Sequence, residues 1–410
     1  MEPPARSRSS ENPNSACAGS GHERGIAMSA VMRLRVLRVP SPLVRPFITA
    51  VRRTDRLDVV LVEATDADGR RGYGEAATSW RVTGESPQSV AAAVAGPLAE
   101  AVRGRDAGDP GLAVAVARSI WGNAAARSAV ECAVADLAAQ QQGVSLAADL
   151  SRAHAVHDSS RTSRIRTDMT LSVGEPDAVA ALSEEYVTAG FGCLKLKASA
   201  VHDTVAGLRA VRSAVGPDVT LRIDANQAWD AETAIRVIRA AEDAGLGIEL
   251  VEQPVAAHDL DALAAVTAAV DTPIMADESV RTAQDVRRVA ERGAADLVNI
   301  KLAKTGGPAE ALAAAEAARE AGLGVVIGCM MESHVGVSAA AHLAAVVAPG
   351  VVHDLDAAFW LQRSPVIGGV VPSGDVLLLE ADAGLGISAL AADAHPEVLL
   401  DLPVGAEVRA

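Results

Sequence analysis

Residues 219–279 contain three short apolar segments that each end in a carboxylate, namely VTLRID (219–224), IELVE (248–252) and PIMAD (273–277). Alanine-rich stretches typical of helices separate them, so that Asp224, Glu252 and Asp277 follow one another at intervals of about one strand and one helix. Short strands that alternate with helices predict a parallel β/α barrel. Because catalytic groups cluster at the carboxyl ends of barrel strands, we expect the three acids to meet at one face of the barrel.

The same alternation continues on both sides of this stretch and gives eight strands in all. The other five predicted strands are Met169–Val173, Cys193–Lys197, Leu297–Lys301, Gly324–Cys329 and Val351–Asp356. Three of these strands also end in a charged residue, namely Lys197, Lys301 and Asp356. We therefore predict an α/β fold in which residues 166–365 form a modified TIM-type (β/α) barrel, with these charged groups around its mouth.

The chain before the barrel has strands first and helices afterwards. Alternating segments between Met32 and Glu75 predict strands, and residues 86–102 and 113–142 have the composition of helices. This segregation indicates a small α+β domain, which we assign to residues 31–150. Residues 1–30 are rich in Pro, Ser, Asn and Arg and lack the apolar run of a secretory signal, so we expect a disordered extension. Residues 366–410 include a strand-like stretch, Val370–Ile387, which we expect to return to the N-terminal domain.

The composition excludes several classes of function. The 410 residues carry a net charge of −15, whereas a nucleic-acid-binding surface needs a basic face. Apolar runs stay shorter than the roughly 18 residues of a membrane span. The four cysteines are scattered without close pairing, which favours neither a disulfide framework nor a zinc site. We expect a cytoplasmic enzyme that acts on a small molecule.

The three strand-end acids have the chemistry of a metal site. Isolated acids at strand ends often cap helices or face solvent, but three at successive strand ends are better explained by a shared cation. Carboxylate oxygens are the ligands that Mg²⁺ prefers, and three carboxylates leave coordination positions for substrate and water. We therefore predict Asp224, Glu252 and Asp277 as magnesium ligands.

Lysines are predicted on two sides of this metal site. Lys195 and Lys197 alternate with leucines and so share one face of their strand, and Lys301 ends the sixth strand, across the barrel from the second. Burial and a nearby cation lower the pKa of a lysine toward the range in which the neutral amine acts as a base. Two bases that flank one carbon suit removal of a proton α to a carboxylate and its return on the opposite face. Mg²⁺ and Lys195 would stabilise the enediolate between these steps.

These motifs together resemble the muconate-lactonizing branch of the enolase superfamily. The resemblance rests on five segments, namely KLK (195–197), RIDANQ (222–227), VEQP (251–254), ADES (276–279) and NIKL (299–302). It implies that the α+β domain caps the barrel, that Lys197 and Lys301 are the acid/base pair, and that one Mg²⁺ per subunit binds the three acids. It also implies that Asn226 and Glu278 support these groups and that the chain forms a homo-oligomer.

Within that branch, the chain is most similar to the dipeptide epimerases, whose type activity is on L-Ala-D/L-Glu. The segment HDLD (353–356) places Asp354 and Asp356 two residues apart, where both can face the mouth and bind the free ammonium of a dipeptide. By the same resemblance, Arg52 would bind a side-chain carboxylate of the substrate, since arginine suits bidentate contact with a carboxylate. Three further residues would line the substrate, namely Thr170, Cys329 and Met331. The thiol of Cys329 is expected to be buried and inert.

Several other functions are compatible with the same scaffold. An N-acylamino acid racemase, an o-succinylbenzoate synthase or a muconate cycloisomerase would use the same acid/base groups. Asp354 and Asp356 speak against them, because their substrates lack an ammonium group at that position. A barrel kept only for binding or structure would have lost a base or a metal ligand, and this chain retains all five. We therefore expect an epimerase of acidic dipeptides, and the resemblance implies a role in recycling cell-wall peptides.

Overall fold

A computed structural model of the chain describes residues 30–49, 52–153, 162–199, 202–379 and 382–405. Within these ranges, the side chains of residues 48, 49, 52 and 153 are not described. The extension predicted for residues 1–30 lies outside the described residues, apart from Ala30.

The described strands form four sheets, of which the largest is a parallel sheet of seven strands. In chain order the strands are β1 (Val31–Thr49), β2 (Arg52–Asp66), β3 (Arg71–Glu75), β4 (Arg164–Thr167), β5 (Met169–Leu171), β6 (Cys193–Lys197), β7 (Thr220–Asp224), β8 (Ile248–Glu252), β9 (Ile274–Ala276), β10 (Leu297–Lys301), β11 (Gly324–Gly328), β12 (Val352–His353), β13 (Val366–Gly368), β14 (Val371–Ser373), β15 (Val376–Leu378), β16 (Ile387–Leu390) and β17 (Glu397–Pro403).

Helices follow most of the parallel strands and cover the antiparallel sheet. In chain order they are α1 (Pro87–Ala93), α2 (Ala99–Val102), α3 (Leu112–Ser119), α4 (Ala124–Gln142), α5 (Leu146–Ala153), α6 (Pro176–Thr188), α7 (Thr204–Val215), α8 (Ala231–Asp243), α9 (Leu260–Ala269), α10 (Ala283–Glu291), α11 (Leu302–Thr305), α12 (Pro308–Ala321) and α13 (His334–Val347). A π-helical turn joins α1 to α2 at Val94–Leu98, and a 3₁₀ helix spans Asp356–Trp360.

The parallel strands form a barrel with the predicted order. Strands β5 to β11 are neighbours in sequence order in one seven-stranded sheet. Strand β12 pairs with β4 in parallel, and a bridge between Gly328 and Asp354 joins it to the end of β11. Strands β4 and β5 together occupy the first position, so β12 closes the barrel. Buried apolar side chains such as Leu194, Ile223 and Ile300 fill the interfaces of these strands with the surrounding elements.

The sequence positions the barrel helices through their first residues. Asp203, Asp230 and Asp259 stand immediately before α7, α8 and α9, and each carboxylate accepts a hydrogen bond from a backbone NH in the first turn of its helix. Such N-capping satisfies donors that a helix cannot pair internally and stabilises it by about 1 kcal/mol. Each helix therefore begins at a fixed point after the strand end that carries a functional residue.

The capping domain packs a helix closely on an antiparallel sheet of order β17-β1-β2-β3. Gly72 and Gly74 of β3 lie against the backbone of α4, where a Cβ at Gly74 would lie 2.0 Å from the carbonyl oxygen of Ala129. The alanine-rich face of α4 and the two glycines thus bring the helix and the sheet into direct backbone contact. This confirms the predicted modified barrel with an α+β domain.

Three details differ from the sequence-based expectations. The predicted helix 113–142 is broken between α3 and α4, where Asn123 has a positive φ of 54°. The C-terminal segment divides its contacts, because β15 pairs with β4 whereas β17 pairs with β1 of the capping domain. The predicted eighth strand Val351–Asp356 is limited to β12, and Asp356 begins the 3₁₀ helix instead of ending a strand.

Candidate active site

Three buried carboxylates form a row at the carboxyl ends of β7, β8 and β9. Asp224 and Glu252 are the last residues of β7 and β8 and are register partners in the sheet. Asp277 directly follows β9. Their exposed fractions are 0%, 0% and 3%, so all three sit in a low-dielectric environment that requires positive charge nearby. The structure thus brings together the three acids that the sequence predicted to meet.

Lysines provide positive charge along this row. The ammonium nitrogen of Lys195 lies 3.2 Å from Glu252 Oε2 and 3.7 Å from Asp224 Oδ2. That of Lys301 lies 3.2 Å from Asp277 Oδ2 and 3.7 Å from Glu252 Oε1. Each lysine therefore bridges two neighbouring carboxylates of the row.

Lys197 lies at one end of the row. Its ammonium group donates to Asp224 Oδ2 and, at 3.0 Å, to the side-chain oxygen of Asn226. Asn226 also donates to Glu278 Oε1 at 3.4 Å, which links the two residues that were expected to support the site. Strand β6 carries Lys197 and β10 carries Lys301, with three strands between them in the sheet. The two lysines therefore approach the mouth from opposite sides.

The buried charges in and beside the row shift one another's pKa values. Burial raises the pKa of Glu252 to about 7, and the nearby Asp224 adds to this rise. Burial lowers the pKa of Lys301, but Asp277, Asp354 and Glu252 outweigh it and raise that pKa well above its usual value. These carboxylates therefore favour the charged form of Lys301, and the lowering of a lysine pKa by a bound cation stays a prediction.

A second group of carboxylates lies beside the row. Among the described residues, Asp168, Asp354 and Asp356 each have an oxygen within 4.8 Å of the others. Asp354 Oδ1 lies 2.5 Å from the ammonium nitrogen of Lys195. Asp168 Oδ2 lies 3.0 Å from the guanidinium nitrogen Nη1 of Arg222. This group is therefore already neutralised in part by two buried cations.

Asp356 is held in place by two NH donors. Its Oδ2 accepts from the backbone NH of Thr170 at 2.8 Å and from the indole NH of Trp360 at 3.1 Å. Because the Trp360 donor lies four residues further along the chain, this contact favours the 3₁₀ turn over a continued strand. Phe47 of the capping domain packs edge-on against Trp360, with ring centroids 4.8 Å apart.

A cavity of about 670 Å³ opens above these residues, between the barrel and the capping domain. The barrel contributes most of the predicted site residues to its lining, namely Thr170, Lys195, Lys197, Asn226, Asp277, Glu278, Lys301, Cys329, Met331, Asp354 and Asp356. The capping domain contributes Phe47 and the loop Ser79–Val82. Asp224 and Glu252 lie beneath the lysines.

Two predicted substrate contacts, Cys329 and Arg52, differ from the other predicted site residues. Burial raises the pKa of the Cys329 thiol well above its usual value, so this side chain lines the cavity as an unreactive thiol. The side chain of Arg52, expected to bind a substrate carboxylate, lies outside the described residues. Arg81, in the loop Ser79–Val82, is an exposed arginine that lines the cavity, and the sequence interpretation did not select it.

Known protein families match most of the chain. Residues 177–393 match the family described as enolase C-terminal domain-like, and residues 31–150 match the mandelate racemase / muconate lactonizing enzyme, N-terminal domain. The chain belongs to the mandelate racemase/muconate lactonizing enzyme family of the enolase superfamily. It is an isomerase, as the sequence predicted.

Three relatives illustrate the similarity. The L-Ala-D/L-Glu epimerase of Bacillus subtilis is 38% identical over 87% of this chain and 96% of the relative. The hydrophobic dipeptide epimerase of Enterococcus faecalis is 38% identical over 83% of this chain and 95% of the relative. The crystal structure of dipeptide epimerase from Enterococcus faecalis V583, complexed with Mg and the dipeptide L-Leu-L-Tyr, has a TM-score of 0.82 and 36% identity, and covers 88% of this chain and 99% of that one.

This enolase-superfamily enzyme also has buried polar residues beside the row that the sequence interpretation did not select. The ammonium group of Lys304 is buried and donates to the carbonyl oxygen and Oδ1 of Asp277, and at 3.1 Å to the carbonyl oxygen of Asn299. Its three protons therefore have three acceptors. The only signal in the sequence is its spacing of three residues from Lys301, on the short helix that follows β10.

Gln253 fixes the position of Asp277 from the neighbouring strand end. Its side-chain oxygen accepts from the backbone NH of Asp277 at 2.9 Å and from that of Ser279 at 3.2 Å. Its φ of 35° is unusual for a residue other than glycine. Such backbone strain is concentrated at functional sites, where surrounding contacts enforce it.

Among the described residues, no helix of this family member combines the length and the apolar character needed to cross a membrane.

Proposed function

We propose that this enzyme is a Mg²⁺-dependent dipeptide epimerase of the L-Ala-D/L-Glu type, which inverts the α-carbon of the C-terminal residue. The observation that carries the proposal is the placement of Lys197 and Lys301 on opposite sides of one cavity, with Asp354 and Asp356 also in its lining. The names of the relatives support the same activity.

The row of carboxylates suits a divalent cation. Its donors are the carboxylate oxygens that Mg²⁺ prefers, and each bridging lysine shares its charge between two of them. We therefore propose Asp224, Glu252 and Asp277 as the ligands of one Mg²⁺ per subunit. Bound there, Mg²⁺ would replace the lysines as the counter-charge of the row and withdraw electron density from the substrate carboxylate.

The other carboxylate group suits a different role. Asp168 is locked to Arg222, and Asp356 Oδ2 is occupied by two NH donors. We propose that Asp354 and Asp356 bind the free ammonium of the dipeptide, because both carboxylates line the cavity and neither belongs to the row. An N-acylated substrate has no cation for this position, which favours dipeptide epimerisation over N-acylamino acid racemisation.

The two lysines perform the chemistry in this proposal. One neutral amine removes the α-proton from one face of the substrate, and the ammonium group of the other returns a proton to the opposite face. The negative charge that develops on the substrate carboxylate faces the buried ammonium group of Lys195. Asn226 accepts a hydrogen bond from Lys197 and so holds that amine toward the cavity.

Side-chain specificity depends on the capping domain. One relative at 38% identity is named for L-Ala-D/L-Glu and another, equally identical, for hydrophobic dipeptides, so overall identity does not decide between them. We propose an acidic side chain on the C-terminal residue, bound by arginine from this domain. Arg52 is the arginine favoured by sequence, and Arg81 is a second cation in the lining of the cavity.

The proposed activity has a direct test. The purified protein with Mg²⁺ and L-Ala-L-Glu in D₂O should exchange the glutamate α-proton for deuterium and form L-Ala-D-Glu. A panel of dipeptides with acidic, neutral and aromatic C-terminal residues measures specificity in the same assay. Absence of exchange with every dipeptide of the panel would rule out the epimerase assignment.

The roles of the lysines have a separate test. Lys197→Ala and Lys301→Ala should each abolish epimerisation, because one face of the α-carbon loses its acid or base. Each variant should still exchange the α-proton of only one of the two epimers, L-Ala-L-Glu or L-Ala-D-Glu, and the two variants should exchange opposite epimers. Unchanged turnover in either variant would contradict the two-base mechanism.

A further inference from the structure

The side chains of two buried glutamates of the capping domain contact the N-termini of barrel helices. Glu75, the last residue of β3, is 6% exposed and reaches the start of α13. Its carboxylate accepts from the backbone NH of Ser333 at 2.9 Å, from that of Gly336 at 3.0 Å and from the hydroxyl of Ser333 at 2.6 Å. Ser333 is the residue that caps α13.

Glu131 makes the equivalent contact with the preceding helix. It lies in the middle of α4, is 4% exposed, and its Oε1 accepts from the backbone NH of Ala309 in the first turn of α12 at 2.6 Å. Gly307, just before that helix, has a φ of +134°, and a Cβ there would lie 2.3 Å from Glu131 Oε2. A glycine at this position is what allows the glutamate to reach the helix.

Both contacts use an intrinsic property of helices. The first NH groups of a helix have no partner within it and carry partial positive charge, so a carboxylate stabilises that end. In α7, α8 and α9 an aspartate next to the helix supplies this group. In α12 and α13 the carboxylate comes from the other domain, so helix capping and domain docking are the same interaction.

The two capped helices follow the strands that build one side of the site. Helix α12 comes after β10, which ends in Lys301, and α13 comes after β11 and the cavity residues Cys329 to Met331. The opposite wall of the cavity is Phe47 and the loop Ser79–Val82 of the capping domain. Glu75 and Glu131 therefore contribute to the distance between the two walls.

The geometry points to Glu75 and Glu131 as positioning residues that hold the capping domain at the spacing required for substrate binding. Neither glutamate lines the cavity among the described residues, so they act through the wall that the capping domain provides. The substrate part of this inference rests on the proposed dipeptide epimerase activity. The docking part concerns the two domains and holds for any substrate.

Substitution of the two glutamates tests the substrate part. Glu75→Ala and Glu131→Ala should each raise KM for the dipeptide about tenfold and change kcat less than about threefold, because the lysines and acids of the barrel keep their positions. Glu75→Gln and Glu131→Gln should reverse most of this rise in KM, since an amide oxygen can still accept from the helix.

Glu85 provides a matched control within the capping domain. Its carboxylate accepts from the backbone NH groups of Ala125 at 2.7 Å and Ala126 at 3.2 Å, so it caps α4 without crossing to the barrel. Glu85→Ala should leave KM within about twofold of the wild-type value. An unchanged KM in both Glu75→Ala and Glu131→Ala, or an equal rise in Glu85→Ala, would overturn the positioning role.

Hydrogen exchange in the wild-type enzyme tests docking without any substitution. The amides of Ala309, Ser333 and Gly336 are released when the capping domain lifts from the barrel, so they should share one opening free energy. A bound dipeptide would contact both domains and should slow the exchange of all three amides by the same factor. The amides of Ala125 and Ala126 should keep their exchange rates. If the three amides gave unrelated opening free energies in the free enzyme, the docking role would be overturned. Failure of every dipeptide to turn over would count only against the proposed function.

Discussion

His353 should make the closing strand of the barrel sensitive to acid. Its Nδ1 accepts a hydrogen bond from the backbone NH of Ile327 at 3.0 Å, and its Nε2 lies 3.0 Å from the carbonyl oxygen of Ala348. A nitrogen that accepts carries no proton, so this geometry requires the neutral imidazole with its proton on Nε2. Protonation of Nδ1 would place two NH groups against each other between β11 and β12.

The magnitude follows from the pKa of the buried ring. Burial, the dominant cause, lowers the pKa of His353 from 6.5 to about 4. Because the folded pKa lies below the unfolded pKa, the stabilisation is complete above pH 6.5 and is lost as the pH falls toward 4. The folded state at pH 5 loses about 2 kcal/mol of this stabilisation, since each unit of pH between the two pKa values contributes about 1.4 kcal/mol.

Urea unfolding at pH 7.5 and pH 5 measures this loss against a variant. His353→Gln should be less stable than wild type at pH 7.5, but its free energy of unfolding should fall by about 2 kcal/mol less between the two pH values. His342, another buried histidine with a pKa lowered to about 4, is present in both proteins and cancels. His258→Gln, at an exposed position, controls for the substitution itself. Equal pH dependence in wild type and His353→Gln would refute the reasoning.

Three further predictions concern the charged groups of the site. Lys304→Met removes a buried partner of Asp277 and should lower the free energy of unfolding, measured in urea, by about 3 kcal/mol or more. A decrease of less than about 1 kcal/mol would contradict a tightly held ion pair. EDTA should lower the melting temperature of the wild-type enzyme. Added Mg²⁺ should raise the melting temperature of Asp168→Asn but not that of Asp224→Asn. If Mg²⁺ instead stabilised only Asp224→Asn, the metal would lie at the second carboxylate group. Trp360→Phe deletes the NH donor to Asp356 and should raise KM about tenfold with little change in kcat, whereas an unchanged KM would exclude Asp356 from ammonium binding.

The parts of the fold that sequence predicts well are those where local pattern and tertiary role coincide. Strands β6, β8 and β10 have the predicted bounds, because each is a short, mainly buried run of five residues that ends in a charged residue. Their terminal charges share one environment, the barrel mouth, and so the acid row and the lysines beside it could be identified together.

The closing strand and the supporting residues depend on contacts between distant segments. Asp356 leaves the strand because its carboxylate meets the NH groups of Thr170 and Trp360, and nothing local to residues 351–356 specifies those donors. Lys304 has the spacing of an ordinary surface residue on a short helix, and only the fold places Asp277 beside it. The pKa of Lys301 likewise reflects three carboxylates from three different strand ends.

In the proposed mechanism catalysis belongs to the barrel and specificity to the capping domain, so overall similarity to a relative says more about the reaction than about the substrate. The barrel carries the lysines and the carboxylates, and a reaction at an α-carbon needs the same set whatever the side chain. The capping domain supplies only Phe47 and the loop Ser79–Val82 to the described cavity wall. Relatives named for L-Ala-D/L-Glu and for hydrophobic dipeptides can therefore each be 38% identical to this chain, since in the proposed site few positions would contact the side chain of a substrate. It follows that substitutions within that wall, and the glutamates that contribute to its distance from the barrel, are where changes of specificity can occur without loss of the proton-transfer chemistry.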